Sequence, residues 1–187
     1  ENVRALDAFG HVSVRSPSDP NSYFIAPGVS AGVVTAGDIV QRNVNDPDSQ
    51  EFAVHAEVYK ARPDVMAVVY GHTPEVIALT EASVQLRPVV NGGAFIGNGF
   101  PVFDVGSLDP QQPILADPAL ARGVADALGE NRGVLLPGHG FVLTGPSVYQ
   151  LMYGAYAMRM NSLSQQQAIA LGGTVAHLDD VPVAPPP

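Results

Sequence analysis

The sequence contains no cysteine, which removes disulfides, thiolate catalysis and cysteine-ligated zinc together. Basic residues are scarce. Nine Lys and Arg stand against eighteen Asp and Glu, a formal charge of −9. That balance, with no Lys/Arg-rich run, argues against nucleic acid or an anionic membrane surface as a partner. No apolar run approaches the roughly 18 residues of a membrane-spanning helix, and no signal peptide is visible. The expectation is a soluble, cytoplasmic protein. What is present is 187 residues, 46% of them hydrophobic, enough for one domain with a real core. That domain is expected to span 1–180. The proline-rich tail 181–187 is expected to be unfolded.

The stretch Glu51 to His72 organises the rest. Phe52, Val54, His55, Val58 and Tyr59 keep to one helical face. Arg62-Pro63-Asp64 ends that helix, because proline disfavours helical geometry in the residue before it. Val65 to Val69 then reads as a buried strand, delivering Tyr70, Gly71 and His72 at its end. Far downstream, Leu135-Leu136-Pro137-Gly138-His139-Gly140 repeats the device: an apolar run ends in a histidine between glycines.

Along the chain, Phe9 to Arg15 alternates as a strand, and Tyr23 to Ala26 returns as its antiparallel partner across a turn rich in Ser, Pro and Asp. Ile39-Val40 is a further short strand. Asn43 to Gln50 reads as a polar loop. Thr73 caps a helix with Pro74 at its first position, running to Glu81. Val84 to Val90 is extended, and Gly92 to Gly99 breaks up the segment that follows. Asp117-Pro118 opens a helix through Leu128, stopped by Gly129. Gly133 to Leu136 pairs with Phe141 to Thr144, and Pro146-Ser147 starts a long helix to Ala170. Short strands mixed with helices, without strict βαβ alternation, imply a mostly antiparallel sheet covered by helices.

Several residue types here carry chemistry. Imidazoles at strand ends are rigid metal ligands when neutral, and the bland alternative for His72 and His139 is a structural histidine. Glu51 is either an acid/base or an ordinary first-turn carboxylate favoured by the helix dipole. Arg15 and Arg87 suit bidentate capture of a substrate carboxylate, or else serve structure at a sheet edge. His55 is either a supporting partner behind the site, one turn on from Glu51, or a core histidine. Tyr149, Tyr153 and Tyr156 have the spacing of a core or subunit interface, and Asn161, Gln165, Gln166 and Gln167 form a polar face.

The order of these motifs, from Gly10-His11-Val12-Ser13-Val14-Arg15 to the helix near Tyr149–Ala168, resembles the class II aldolase/adducin family. The resemblance implies a three-layer αβα fold with a central, mostly antiparallel sheet, a helix preceding Glu1, and a homotetramer with sites between subunits. It implies a divalent metal (Zn, Mn or Fe) held by three histidines, with a glutamate as acid/base. Glu51 matches the glutamate, and His72 and His139 match two ligands. Tyr70 stands where the first ligand histidine belongs. A neutral phenol is a poor ligand for zinc or manganese. Either two histidines and one carboxylate suffice, as in non-haem iron sites, or Tyr70 is an acid, a hydrogen-bond donor or packing.

His11 occupies a position that is asparagine in the family's sugar-phosphate aldolases, and the Ser-Ser pair before the glutamate is Ser49-Gln50 here. With Arg-Pro-Asp-Val at 62–65 and Leu86-Arg87-Pro88-Val89, the chain is more similar to the decarboxylase branch, which acts on hydroxylated aromatic carboxylates. The expected function is a carbon–carbon lyase, decarboxylase or retro-aldol, on a small hydroxylated carboxylic acid. Glu51 and Tyr70 are the catalytic candidates, and His11, Ser13, Arg15 and Arg87 the substrate contacts. A non-haem iron oxygenase and a metal-free, non-catalytic member, as in adducin, are the alternatives on the same scaffold.

Overall fold

The computed structural model describes residues 6–26, 28–46, 52–106 and 117–178. Its strands are β1 (His11–Arg15), β2 (Ser22–Ile25), β3 (Val40–Asn43), β4 (Ala67–Gly71), β5 (Gly133–Leu136) and β6 (Gly140–Gly145). They form one sheet in the order β3-β2-β1-β4-β6-β5, with every strand ladder antiparallel. The helices are α1 (Ala53–Ala61), α2 (Pro74–Glu81), α3 (Pro118–Leu128) and α4 (Val148–Ala170).

Alternation along the strands creates two cores. Val68 and Tyr70 of β4 face the side covered by α1 and α3, where they join Val54, Val58, Val124 and Leu128. Ala67 and Val69 face the side covered by α2 and α4, with Leu79, Leu151 and Met158. Both faces of β4 are therefore covered, which is why its sequence is an unbroken apolar run. The result is a three-layer αβα arrangement, as expected.

Helix boundaries follow local chemistry. Asp117 caps α3, its carboxylate accepting from the Ala119 amide at 2.8 Å, and Gly129 closes it at φ +50°. Ser147 Oγ accepts from the Gln150 amide at 3.2 Å to start α4. The sheet departs from the sequence reading in small ways. β4 begins at Ala67 rather than Val65, because the Val65 amide closes a turn onto the Arg62 carbonyl at 3.1 Å. β3 runs to Asn43, beyond the expected Ile39-Val40. The glycine-rich stretch contains a 3₁₀ turn, Asn91–Ile96, which its composition hides.

The structure narrows two readings on α4. Asn161 and Gln165, members of the expected polar face, are buried. Asn161 accepts from the Val89 amide and donates to the Arg87 carbonyl, both at 2.8 Å, while Gln165 donates to the Gln85 carbonyl at 2.7 Å. Together they supply the backbone partners that the extended segment 84–90 lacks for want of a neighbouring strand. Tyr149 and Tyr153, at 82% and 58% exposure, are not core residues of this chain. The tail 181–187 lies outside the described residues. Among the described residues, no helix is long and apolar enough to cross a membrane.

Candidate active site

The register of β1 on β4 sets His11 opposite Tyr70. In an antiparallel pair, directly opposed side chains share a face, and the two rings lie 5.3 Å apart between centroids. Tyr70 also meets the His72 ring edge-on at 4.5 Å, and Phe52 closes over His11 at 5.2 Å. His139 arrives from the β5–β6 turn. Gly140 makes that possible: at φ +91°, a Cβ there would lie 2.0 Å from the Gly71 carbonyl oxygen, so only glycine lets the two strand ends approach. His72 and His139 are close enough that charge on the first disfavours protonation of the second.

Behind His11 runs a buried chain of polar groups. His11 Nδ1 lies 2.7 Å from His55 Nε2, His55 Nδ1 lies 2.6 Å from Ser13 Oγ, and Ser13 Oγ lies 2.9 Å from Tyr59 Oη. His55 and Ser13 have no exposed surface. The period of α1 explains the stack, because His55 and Tyr59 are one turn apart on the face that meets β1. His55 is thus both a core histidine and a partner of a site residue. Its partner is His11.

Burial sets the protonation of these groups. It pushes His55 well below the ordinary histidine value, and the neighbouring His11 adds in the same direction. His11 falls to about 4, through burial first, then His72, with Asp7 opposing. The phenols of Tyr59 and Tyr70 are raised above the usual tyrosine range by burial, Asp7 adding at Tyr70. His139 is lowered, chiefly by burial and then by His72, with Glu81 opposing. His11 and Tyr70 therefore meet as a neutral imidazole and a neutral phenol. Tyr70 Oη makes no hydrogen bond among the described residues.

Asp7 escaped the sequence reading. Its carboxylate accepts from the Gly10 amide at 2.7 Å and from His72 Nδ1 at 3.2 Å. The first contact folds the turn into β1, and the second fixes the orientation of the His72 ring. The signal was Asp7-x-x-Gly10 before a strand, a local turn motif.

Arg15 is corrected. Its guanidinium is buried and donates to the carbonyls of Val65 (2.8 Å), Tyr59 (2.9 Å), Arg62 (2.9 Å) and Pro20. It also stacks over the Tyr59 ring at 4.5 Å. The side chain clamps β1 to the α1–β4 turn and presents no donor pair to a substrate carboxylate. Ser13 likewise points into the buried chain rather than the cleft. Arg87 sits on the α4 face of the sheet, where Gln165 Oε1 accepts from its amide at 3.1 Å. Glu51, the expected acid/base, lies outside the described residues.

The chain matches the Class II Aldolase and Adducin N-terminal domain family over residues 5–165. It belongs to that family. It is 29% identical to decarboxylase tropJ of Talaromyces stipitatus, over 93% of this chain and 74% of that protein. It is 30% identical to the 3,4-dihydroxyphthalate decarboxylase of Arthrobacter keyseri, over 72% of this chain and 54% of that protein. The chain thus spans about half the length of the second relative. Among solved structures, L-fuculose-1-phosphate aldolase from Thermus thermophilus superposes with a TM-score of 0.74 at 24% identity, covering 91% of this chain and 90% of that one. At that identity the likeness shows the fold alone.

The described residues do not match the donor set of a three-histidine metal centre. His72 and His139 supply two imidazoles, but the third place holds a phenol that burial keeps protonated, a poor ligand for a divalent ion. Among the described residues, no three His, Asp or Glu side chains are grouped to hold a metal. What these residues offer is a protonated phenol, a neutral imidazole and a carboxylate-braced histidine on adjoining strand ends.

Proposed function

We propose that this chain is the catalytic domain of a carbon–carbon lyase that decarboxylates a small hydroxylated aromatic carboxylic acid. The observation that carries the reading is the neutral Tyr70 phenol, unpartnered at its hydroxyl among the described residues and set between His11 and His72. The two decarboxylase relatives support it, and the second supplies the class of substrate.

In such a reaction the bond from the ring to the carboxylate breaks and CO₂ leaves. The ring carbon takes up a proton first, as the neighbouring hydroxyl loses its own and becomes a carbonyl, so that on cleavage the bonding electrons pass through the ring onto that oxygen and restore the aromatic ring. Uncharged donors aimed at that oxygen lower the barrier, because they are preorganised where charge develops. Tyr70 supplies the proton to carbon, which a group kept neutral at working pH can do. His72, with Nδ1 committed to Asp7, accepts a hydrogen bond from the substrate hydroxyl through Nε2. Glu51 returns the proton to Tyr70 between turnovers. Retro-aldol cleavage would use the same charge-stabilising groups.

The assembly proposed with this reading is a homotetramer. The exposed Tyr149 and Tyr153 and the 70%-exposed Val33 are apolar surface of the kind a subunit contact covers. A monomer in sedimentation velocity would contradict it.

The test of the activity is CO₂ release from 3,4-dihydroxyphthalate and related hydroxybenzoates by wild type and Tyr70→Phe. Turnover by the wild type, with kcat lowered on the order of 10²- to 10⁴-fold in the variant and KM little changed, supports the reading. No CO₂ from any substrate, or undiminished turnover by Tyr70→Phe, overturns it.

A further inference from the structure

We infer that a one-way hydrogen-bond chain from Tyr59 through Ser13 and His55 locks His11 in its Nε2–H tautomer, so that His11 meets a bound ligand as a hydrogen-bond donor and never as a base. The donor's use on a substrate oxygen rests on the lyase reading; the tautomer does not.

Each proton along the chain needs an acceptor. Tyr59 Oη carries one proton, and Ser13 Oγ, at 2.9 Å, is the acceptor within its reach among the described residues. The Val68 backbone amide also meets the phenol oxygen, but as a donor, so it takes no proton. A buried phenolic proton left without an acceptor costs about 1–3 kcal/mol, so Tyr59 donates and Ser13 accepts. Ser13 has its own proton to place. With Tyr59 acting as donor, the remaining acceptor is His55 Nδ1, 2.6 Å away. That nitrogen is then unprotonated. His55 is wholly buried, and burial and His11 both disfavour its charged form, so it is neutral and carries its proton on Nε2. The Nε2–H points at His11 Nδ1 across 2.7 Å, and His11 Nδ1 must accept. A neutral His11 is left with its proton on Nε2, a nitrogen that makes no hydrogen bond among the described residues.

The reverse direction fails at its far end. If His11 Nδ1–H donated to His55 Nε2, His55 Nδ1–H would donate to Ser13 Oγ. Both the Ser13 and Tyr59 protons would then compete for a single gap between two oxygens, and one of them would be stranded. The phenol at the buried end therefore sets the polarity of a nitrogen three groups away. Arg15 reinforces that end, because its cation over the Tyr59 ring holds the phenol in place. In this arrangement Tyr59, Ser13 and His55 are positioning residues. His11 is the one that touches a ligand.

The experiment is a long-range ¹H–¹⁵N correlation of histidine rings in the intact, ligand-free chain at pH 8, which has only five histidines, assigned by single His→Gln variants. Both His11 and His55 are expected to show a pyridine-like Nδ1 and a pyrrole-like Nε2. In Tyr59→Phe, which removes one hydroxyl and keeps the ring, Ser13 is freed to turn. Both rings should then shift to a mixture of tautomers while the backbone amide spectrum stays native. A pyrrole-like Nδ1 on His11 in the wild type overturns the inference. So does a Tyr59→Phe spectrum with both tautomers unchanged. Should Tyr59→Phe fail to fold, Ser13→Thr, which keeps the hydroxyl, must preserve the wild-type tautomers, and loss of them there also overturns it. The measurement needs no substrate, so failure of the decarboxylase reading leaves its outcome intact.

Discussion

Two pairs of histidines sit a few ångströms apart in this cleft and have opposite circumstances. His55 is wholly buried and His11 half-buried between sheet and helix, the two bonded to each other and, through His55, to a serine and a tyrosine. His72 and His139 sit at strand ends, partly open to solvent, with Asp7 and Glu81 nearby. The same side chain is structural wiring in one place and open to a ligand in the other. Burial and the charge of the neighbours decide which. The motif that drew attention in the sequence was the open pair; the sealed pair has the more constrained chemistry.

The largest way to break this contrast is to lower the pH. His11 is depressed from its unfolded value of 6.5 to about 4, and His55 is depressed as well. Between those values the unfolded chain binds more protons than the folded one. Stability from the sealed pair is therefore full above about pH 6.5 and declines as pH falls toward 4. His11 alone should cost about 3 kcal/mol by pH 4. Urea unfolding of wild type and His11→Asn at about pH 7.5 and about pH 4.5, either side of most of that window, checks this. The stability lost between the two pH values should be smaller in the variant, and an equal loss would contradict the assignment.

A smaller effect sharpens it. Ser13→Ala removes the hydroxyl that serves both Tyr59 and His55 and should lower unfolding stability by about 1–2 kcal/mol. His139→Gln, at the open end, should stay within about 0.5 kcal/mol of wild type, as surface substitutions do. Equal losses at the two positions would erase the distinction.

Much of the fold was legible because local and global signals agree. Asp117-Pro118 with Gly129, Thr73-Pro74, and the unbroken apolar run of β4 each fix an element by chemistry confined to a few residues. Tyr70 was legible as a departure from a family pattern, and the register places it opposite His11. What the sequence hid was partnership. Arg15 reads as a free cation until four carbonyls are found around it, and those come from residues as far apart as Pro20 and Val65. Asp7 looks like a turn former and is also the brace of His72, 65 positions away. Asn161 and Gln165 read only as part of a polar face, and they hold a strandless segment in place. Such pairings are set by topology, which residue spacing along the chain does not encode.

In the proposed site a protonated Tyr70 takes the place of a metal ligand. Metal content of the purified native chain, measured by plasma mass spectrometry beside Tyr70→His, decides the matter. Well under one equivalent of zinc, manganese or iron is expected in the native protein after dialysis, and near-stoichiometric metal once Tyr70→His adds a third imidazole. A full equivalent in the native protein, lost in His72→Ala, would contradict it.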